Sequence, residues 1–418
     1  MIPRLVLLIW NLLYPLAVVL AAPFWILKMF RRGGWGTGLL ERLGIYDRDA
    51  EFEKVGAVYL HAVSVGEVLL ALKLISKWRA ETQEHFILVP TTATGMAVAR
   101  DKAPEGVRVI YAPLDFGFLI RRVMRRFSPR IVVTVESEIW PNLISQTHRL
   151  GIPMGLMNAR LSPRSERRLR RFRFLVQPFL ALLEHVGIPE EADVKRWRAL
   201  GVRTEAAVLT GNVKFDPEGA ALPCRRPEFS AMLEEFPKAP IAMAASTFAG
   251  EEAYLAGVFR EAGFLPVIVP RHAERREEVA TALRGELVLR SRFPSPSSPA
   301  RKPQVGEAFV IDSTGELRDW TAHADRVVIG KSFLAKGGQN PSEAILAGVP
   351  VICGPFMANF EPLVSELKEA GGIQMVHDRK ELLEALREPL PDQIARARQV
   401  LEKHRGAMSR TIALLSRA

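Results

Sequence analysis

The chain has 418 residues, 48% hydrophobic and 25% charged, which is too long for one ordinary domain and too apolar for a disordered or low-complexity protein. Its two cysteines, Cys224 and Cys353, exclude a disulfide framework or a cysteine-rich metal site and fit a reducing compartment. A formal charge of +11 suits an anionic membrane face, phosphorylated substrates or nucleic acid. From Arg121 to Arg173 there are thirteen arginines against three acids (Glu136, Glu138 and Glu166), the pattern of solvated helix faces or of an anion-binding surface.

Leu5 to Leu27 runs for 23 residues without a formal charge. As a helix it measures ~34 Å, enough to cross a hydrocarbon core. Trp10, Tyr14 and Trp25 are aromatics of the membrane-interface type. Lys28, Arg31 and Arg32 form the heavier basic flank, which keeps the rest of the chain cytoplasmic by the positive-inside rule. The competing readings are a cleaved signal peptide, a buried core helix, and a monotopic helix weakened as a span by Asn11, Pro15 and Pro23. The expectation is an N-terminal membrane anchor over residues 1–32.

Short apolar runs then alternate with amphipathic stretches. Strands are expected at Val58–His61, Phe86–Val89, Val107–Tyr111, Ile131–Val135, Pro153–Met157, His185–Ile188 and Ala207–Leu209. Helices such as Glu67–Arg79 and Phe118–Arg126 lie between them, so a doubly wound parallel sheet is expected over residues 33–215. The turn-rich Asp216–Arg226 reads as a linker. The pattern resumes over residues 216–390, with strands at Ile241–Ala245, Leu265–Val269, Glu286–Leu289, Ala308–Ile311, Arg326–Ile329, Val349–Cys353 and Gly372–Val376. Phe293–Pro303 is Pro- and Ser-rich and reads as a surface loop. Residues 391–418 are expected to form a long basic helix, roughly Pro391–Leu415, crossing back to the N-terminal domain. The fold class is α/β, with two Rossmann-like domains whose strand C-termini face a cleft.

Polar residues follow nearly every strand. The first leads into His61-Ala-Val-Ser64-Val-Gly66-Glu67. Ser64-x-x-Glu67 is a capping box, and the helix dipole would keep Glu67 ionised and weakly basic. The same carboxylate at the sheet rim could accept a proton from an attacking hydroxyl. Local sequence favours the cap. Next come Pro90-Thr-Thr92-Ala-Thr94-Gly95, Tyr111-Ala-Pro-Leu-Asp115 and Glu136-Ser-Glu138-Ile-Trp-Pro-Asn142. The two acids of the last string suit an acid–base pair, a cation site or neutralisation of an arginine. Asn158-Ala-Arg160-Leu-Ser162 and Thr210-Gly-Asn212-Val-Lys214 complete the first domain.

In the second domain Ser246-Thr247 and Arg271-His272 follow strands, and the guanidinium would clamp a phosphate. Gly330-Lys331-Ser332 leads to Gly337-Gly338-Gln339-Asn340-Pro341-Ser342-Glu343, where a helix N-terminus could face an anion with Pro341 at N1. Asn340-x-x-Glu343 is a further capping-box pattern, and Glu343 could instead bind ribose hydroxyls. Asp47-Arg48-Asp49 matches a metal-binding DxD but precedes the first strand. There is no HExxH, Walker A, GxGxxG or GxSxG motif, and the eight histidines lack metal-ligand spacing.

Taken together, HAVSVGE, PTTATG, YAPLD, ESEIWPN, NARLSPRS, TGNVKFD, VPRHAER and GGQNPSEAILAGVPVICGPFMANF resemble, in order, the Kdo (3-deoxy-D-manno-oct-2-ulosonic acid) transferases of lipopolysaccharide assembly. The resemblance implies a GT-B fold and inverting transfer from CMP-Kdo to a lipid A precursor (lipid IVA), at the cytoplasmic face of the inner membrane of a Gram-negative-type cell. Glu67 matches the family's general base. Arg271, Asn340 and Glu343 match positions associated with CMP and its phosphate, joined on the donor side by Ser246, Thr247, His272, Lys331, Ser332 and Gly338. Ser64, Gly66, Thr92, Glu138, Asn158 and Arg160 are expected on the acceptor side. No metal and no cofactor are expected. Anionic inner-membrane lipids are expected partners of the arginine-rich helices, and nucleic acid is not. Gln339, Ala344, Phe356 and Lys331 depart from the family's usual residues, all in the donor half. Rival readings are another GT-B lipid glycosyltransferase using a UDP-sugar and a non-catalytic basic lipid-binding protein.

Overall fold

The computed structural model describes residues 2–31, 38–49, 51–218, 222–293, 303–388 and 391–417. Arg32 of the basic flank, residues 219–221 of the linker and most of the Pro- and Ser-rich stretch Phe293–Pro303 lie outside the described residues. The chain divides into two compact units, one of Met1–Glu218 with His404–Ala418, the other of Gly219–Lys403.

The first unit holds strands β1 (Val58–Ala62), β2 (Phe86–Pro90), β3 (Val107–Val109), β4 (Ile131–Val135), β5 (Met154–Met157), β6 (His185–Ile188) and β7 (Ala207–Leu209). They pair in parallel in the order β3-β2-β1-β4-β5-β6-β7, with Val58 opposite both Phe86 and Ile131. The second holds β8 (Ile241–Thr247), β9 (Leu265–Pro270), β10 (Leu287–Leu289), β11 (Ala308–Val310), β12 (Arg326–Ile329), β13 (Val351–Cys353) and β14 (Gln374–Met375). Their order is β10-β11-β9-β8-β12-β13-β14, again parallel. Each expected strand forms, its ends shifted by no more than about two residues, within the usual margin for element boundaries.

Unbroken apolar runs explain the match, because a parallel sheet covered on both faces buries every residue of its central strands. Alternate residues serve opposite faces. Tyr59, Ile87, Val132 and Leu156 join one core, while Val58, Leu60, Phe86 and Val133 join the other with Trp78. Burying each such side chain contributes about 1.5–3 kcal/mol.

One expectation needs correction. The C-terminal segment is two helices, Gln393–Glu402 in the second unit and Ala407–Leu415 in the first. The break falls at Gly406, whose φ of 73° is left-handed and cannot continue a right-handed helix. Met408, Ile412 and Leu415 of the last helix complete the core behind β1 and β4.

The N-terminal helix, Ile2–Arg31, is continuous through Pro15 and Pro23. It does not stand free: it packs against the helices Pro141–Arg149 and Arg173–Leu180. Trp10 and Tyr14 are half-buried and bond to the domain. The Trp10 indole N–H donates to Asp115 Oδ2 at 3.0 Å, and the Tyr14 hydroxyl accepts from the Asp115 backbone N–H at 3.3 Å. Asn142 donates to Asn11 at 2.7 Å. The opposite face, including Leu8, Leu12, Leu16 and Leu20, is exposed.

Asp216 fastens the returning helix. Its buried carboxylate accepts from the N–H groups of Gly406 (3.0 Å) and Met408 (2.8 Å) at the helix start, and from Glu218 (2.9 Å). Asp216→Ala is therefore expected to destabilise the protein by about 2–3 kcal/mol, since charged acceptors of buried N–H groups are lost. Urea denaturation gives the loss, and hydrogen exchange should show faster opening of Ala407–Leu415 than of β8–β14.

Candidate active site

Each unit gathers its polar strand-end residues at one sheet edge. In the first, Ser64 caps the helix Val65–Glu81, its Oγ accepting from the Glu67 N–H at 3.3 Å. The same Oγ donates to Glu67 Oε1 at 2.8 Å, and Oε2 accepts from the Val63 N–H at 2.7 Å. The capping geometry thus fixes both carboxylate oxygens. Glu67 is buried, whereas Ser64 and Gly66 beside it are exposed. Burial raises its pKa, helped by Glu136 and opposed by the Val63 N–H and Ser64. This corrects the expectation of a weakly basic carboxylate: desolvation outweighs the helix-end donors.

Glu136 and Glu138 lie near Glu67, and the neighbouring strand ends of the same sheet carry further polar residues. Glu136, after β4, has a left-handed backbone (φ 59°) and an ion pair with Lys214. Burial lifts Glu138 to about 7, with the nearby Glu67 charge adding and Trp140 opposing. Asn158, after β5, is also left-handed (φ 53°), and its Oδ1 accepts from the Val213 N–H at 3.2 Å. Arg160 is half-buried, and its carbonyl accepts from Ser137. Thr92 caps the helix Ala93–Lys102, accepting from the Gly95 N–H at 3.1 Å. His61 is buried and stays neutral, burial lowering its pKa to about 4. Its Nε2 meets Thr91 Oγ1 at 2.9 Å.

In the second unit Ser246, Arg271, Gln339, Asn340 and Glu343 line a small pocket of about 70 Å³. Ser246 and Lys331 have left-handed backbones (φ 58° and 57°). Burial raises the pKa of Glu343, opposed by Arg318 and Arg271. His272 is exposed, and the Lys331 ammonium lies 5.5 Å from the Phe248 ring centre. Gly338 sits at φ 70°, where a Cβ would come within 2.3 Å of Met357 Sδ, so a side chain here would be strained and would displace Met357. Thr247 and Ser332 spend their hydroxyls internally: Thr247 donates to Glu252 at 3.0 Å, and Ser332 donates to the Ile329 carbonyl at 2.6 Å and accepts from Gly354.

The expected Asn340–Glu343 capping box does not form. Asn340 Oδ1 accepts from the Ser342 N–H (3.1 Å) and hydroxyl (2.8 Å), a local turn that outcompetes a bond to Glu343. The helix consequently spans Ser342–Ala347, with Pro341 in the cap position and not at N1. Asp47-Arg48-Asp49 is occupied otherwise, Asp49 pairing with Arg108. Among the described residues no three His, Cys, Asp or Glu side chains converge as metal ligands.

Sequence reading gave no role to Lys214, Asp115 or Glu251. Glu251 is fully buried and accepts from the N–H groups of Phe248, Lys331, Phe333 and Leu334, so it shapes the loop after β12. Its signal, an acid in the first turn of a helix after a polar strand end, is common to ordinary caps.

The fold is that of the GT-B class. A UDP-GlcNAc 2-epimerase from Neisseria meningitidis, solved with UDP-GlcNAc, superposes with a TM-score of 0.56 at 12% identity, covering 87% of this chain and all of that one. A family model of 3-deoxy-D-manno-octulosonic-acid transferases (Kdo transferases) matches residues 37–217. The Kdo transferase of Haemophilus influenzae is 32% identical over 391 residues, 90% of each chain. That of Bordetella pertussis is 31% identical over 430 residues, covering 96% of this chain and 97% of its own. The chain belongs to the Kdo transferase family and is a glycosyltransferase of lipopolysaccharide synthesis.

Glu138 offers a pH test. A carboxyl held near 7 when folded and near 4.5 when unfolded contributes stability below about pH 4.5 and loses it as pH rises through 7. Glu138→Gln should therefore be more stable than wild type at about pH 8, by about 1–2 kcal/mol after discounting for its partial exposure. The advantage should vanish towards about pH 4.5 in denaturant titrations.

Proposed function

We propose that the protein transfers Kdo from CMP-Kdo to a lipid A precursor (lipid IVA) with inversion, at the cytoplasmic face of the inner membrane, and that Glu67 is the general base. The observation that carries this reading is the state of Glu67: fixed by the Val63 N–H and the Ser64 hydroxyl, yet buried enough for its pKa to rise. The acceptor hydroxyl gives its proton to Glu67 while its oxygen bonds the anomeric carbon of Kdo. The bond from that carbon to the CMP phosphate breaks, and the electron pair leaves with the phosphate. Arg271 and Asn340, on one pocket with Ser246 and Glu343, are the groups we assign to that phosphate and nucleotide. Ser64, Gly66, Thr92, Glu138, Asn158 and Arg160 serve the acceptor.

Membrane attachment follows the N-terminal helix. Its contacts through Trp10, Asn11 and Tyr14 support a helix lying along the domain in one leaflet. An upright crossing in this docked state would draw Asp115 and its loop into hydrocarbon, at a cost of several kcal/mol. Arginines of the helices Gly117–Phe127 and Pro163–Arg171 would meet anionic headgroups.

Glu67→Gln is expected to lower kcat by about 10²–10⁴ at a stability cost of only about 1 kcal/mol. Mass analysis of lipid IVA incubated with CMP-Kdo reads the product, and near-normal transfer by a folded variant would overturn the base. On the donor side, CMP should compete with CMP-Kdo and UDP should not. Arg271→Ala should weaken CMP binding by about 2 kcal/mol in calorimetry; unchanged affinity counts against the assignment.

A further inference from the structure

A second cavity in the first unit has no part in the chemistry above. Its volume is about 300 Å³, the lower end of the range for small-molecule sites. Ala17, Val18 and Ala21 of the N-terminal helix form one wall, and Ile120, Trp140 and Leu143 line the domain side. Small side chains on the helix leave the space open, whereas larger ones would close it. The exposed lining is mostly apolar, with Arg42, His61, Thr91 and Asp115 as polar exceptions at its border, so the cavity suits a hydrocarbon better than a sugar or a nucleotide.

Three observations point to its occupant. The elements that wall it carry exposed apolar surface: Leu12, Leu16 and Leu20 on the N-terminal helix, and Leu39 and Leu40 on the short helix Leu39–Arg42. Such surface belongs against lipid, so a hydrocarbon chain could enter without crossing water. Second, His61 of β1 and Thr91 just after β2 border the cavity, and His61 lies two residues before Val63, which holds Glu67. Third, His61 Nδ1 is buried with no hydrogen-bond partner among the described residues. An orphaned buried ring nitrogen on a residue that borders the cavity is costly unless an incoming group supplies its partner.

We propose that this cavity takes one fatty-acyl chain of the lipid acceptor, with the N-terminal helix as its outer wall and His61 Nδ1 bonding the carbonyl or hydroxyl at the head of the chain. The helix is then part of the acceptor site as well as a membrane attachment, and the seated chain sets the distance from the acceptor sugar to Glu67. This inference rests on the acylated-acceptor reading above.

The test uses the full-length protein in phosphatidylglycerol vesicles. Kdo transfer is measured to the tetraacylated acceptor and to the same phosphorylated glucosamine disaccharide after deacylation. Val18→Trp, which fills the cavity from the helix side, should lower the acylated-to-deacylated ratio of kcat/KM at least tenfold. An equal loss on both acceptors, or no loss on either, overturns the chain site. Wild-type protein that transfers Kdo to neither acceptor refutes the functional reading instead. A second measurement is independent of turnover. An acceptor analogue with a diazirine in one acyl chain should crosslink to Ala17, Val18 or Ala21 and to Leu143, and Val18→Trp should abolish these crosslinks. Crosslinks confined to the outer residues Leu12, Leu16 and Leu20 overturn the proposal. So does labelling of the cavity by a diazirine phosphatidylglycerol that excess acceptor fails to displace, because the occupant is then a membrane lipid.

Discussion

Parallel pairing obliges every connection to return over a face of the sheet, so all strands of one sheet end at the same edge. Each chain segment there must leave its strand abruptly. Glu136, Asn158, Ser246 and Lys331 do so with left-handed backbones that non-glycine residues adopt at a cost of order 1 kcal/mol each. The costs are offset locally. Lys214 neutralises Glu136, Asn158 receives the Val213 N–H, and Glu251 gathers four backbone N–H groups around the loop that begins at Lys331. Side chains at both edges are consequently held before any substrate arrives, which is what transition-state stabilisation by fixed groups requires.

Glu67 shows how a helix cap and the chemical role proposed for it can share one residue. A capping acid in open solvent would be a poor base, because helix-end donors favour its charged form. Here the residue is withdrawn from water as it caps, and desolvation disfavours that same charge. The two effects oppose each other in basicity but agree in geometry. Losing the Ser64 hydroxyl would therefore disturb both position and proton affinity.

Much of this was legible in the sequence, for reasons specific to parallel sheets. Buried strands such as Ile131–Val135 and Val58–Ala62 are continuous apolar runs, and the polar residue ending each run marks the C-terminal edge of the sheet. Ser64 and Glu67 were readable as a pair because a capping box is a local pattern. What escaped depends on residues far apart in sequence. Lys214 lies 78 positions from Glu136, and Asp115 receives the Trp10 indole across 105. The bonds of Trp10 and Tyr14 to Asp115 were not legible, because an interface aromatic and a docking aromatic look alike in a one-dimensional pattern. Gly406 was read through because a single glycine costs a helix interior only about 1 kcal/mol, while the buried carboxylate of Asp216 rewards a fresh helix start beyond it.

The route of the chain also bears on its synthesis. Residues 219–403 form one unit in a single uninterrupted stretch, inserted between two parts of the other. The second unit can therefore finish folding while the ribosome is still translating. The first must wait for Ala407–Leu415, because until then the surface that receives Met408, Ile412 and Leu415 stays uncovered beside Trp78. A nascent chain paused before residue 404 would present that apolar groove to chaperones although all seven of its strands had been made.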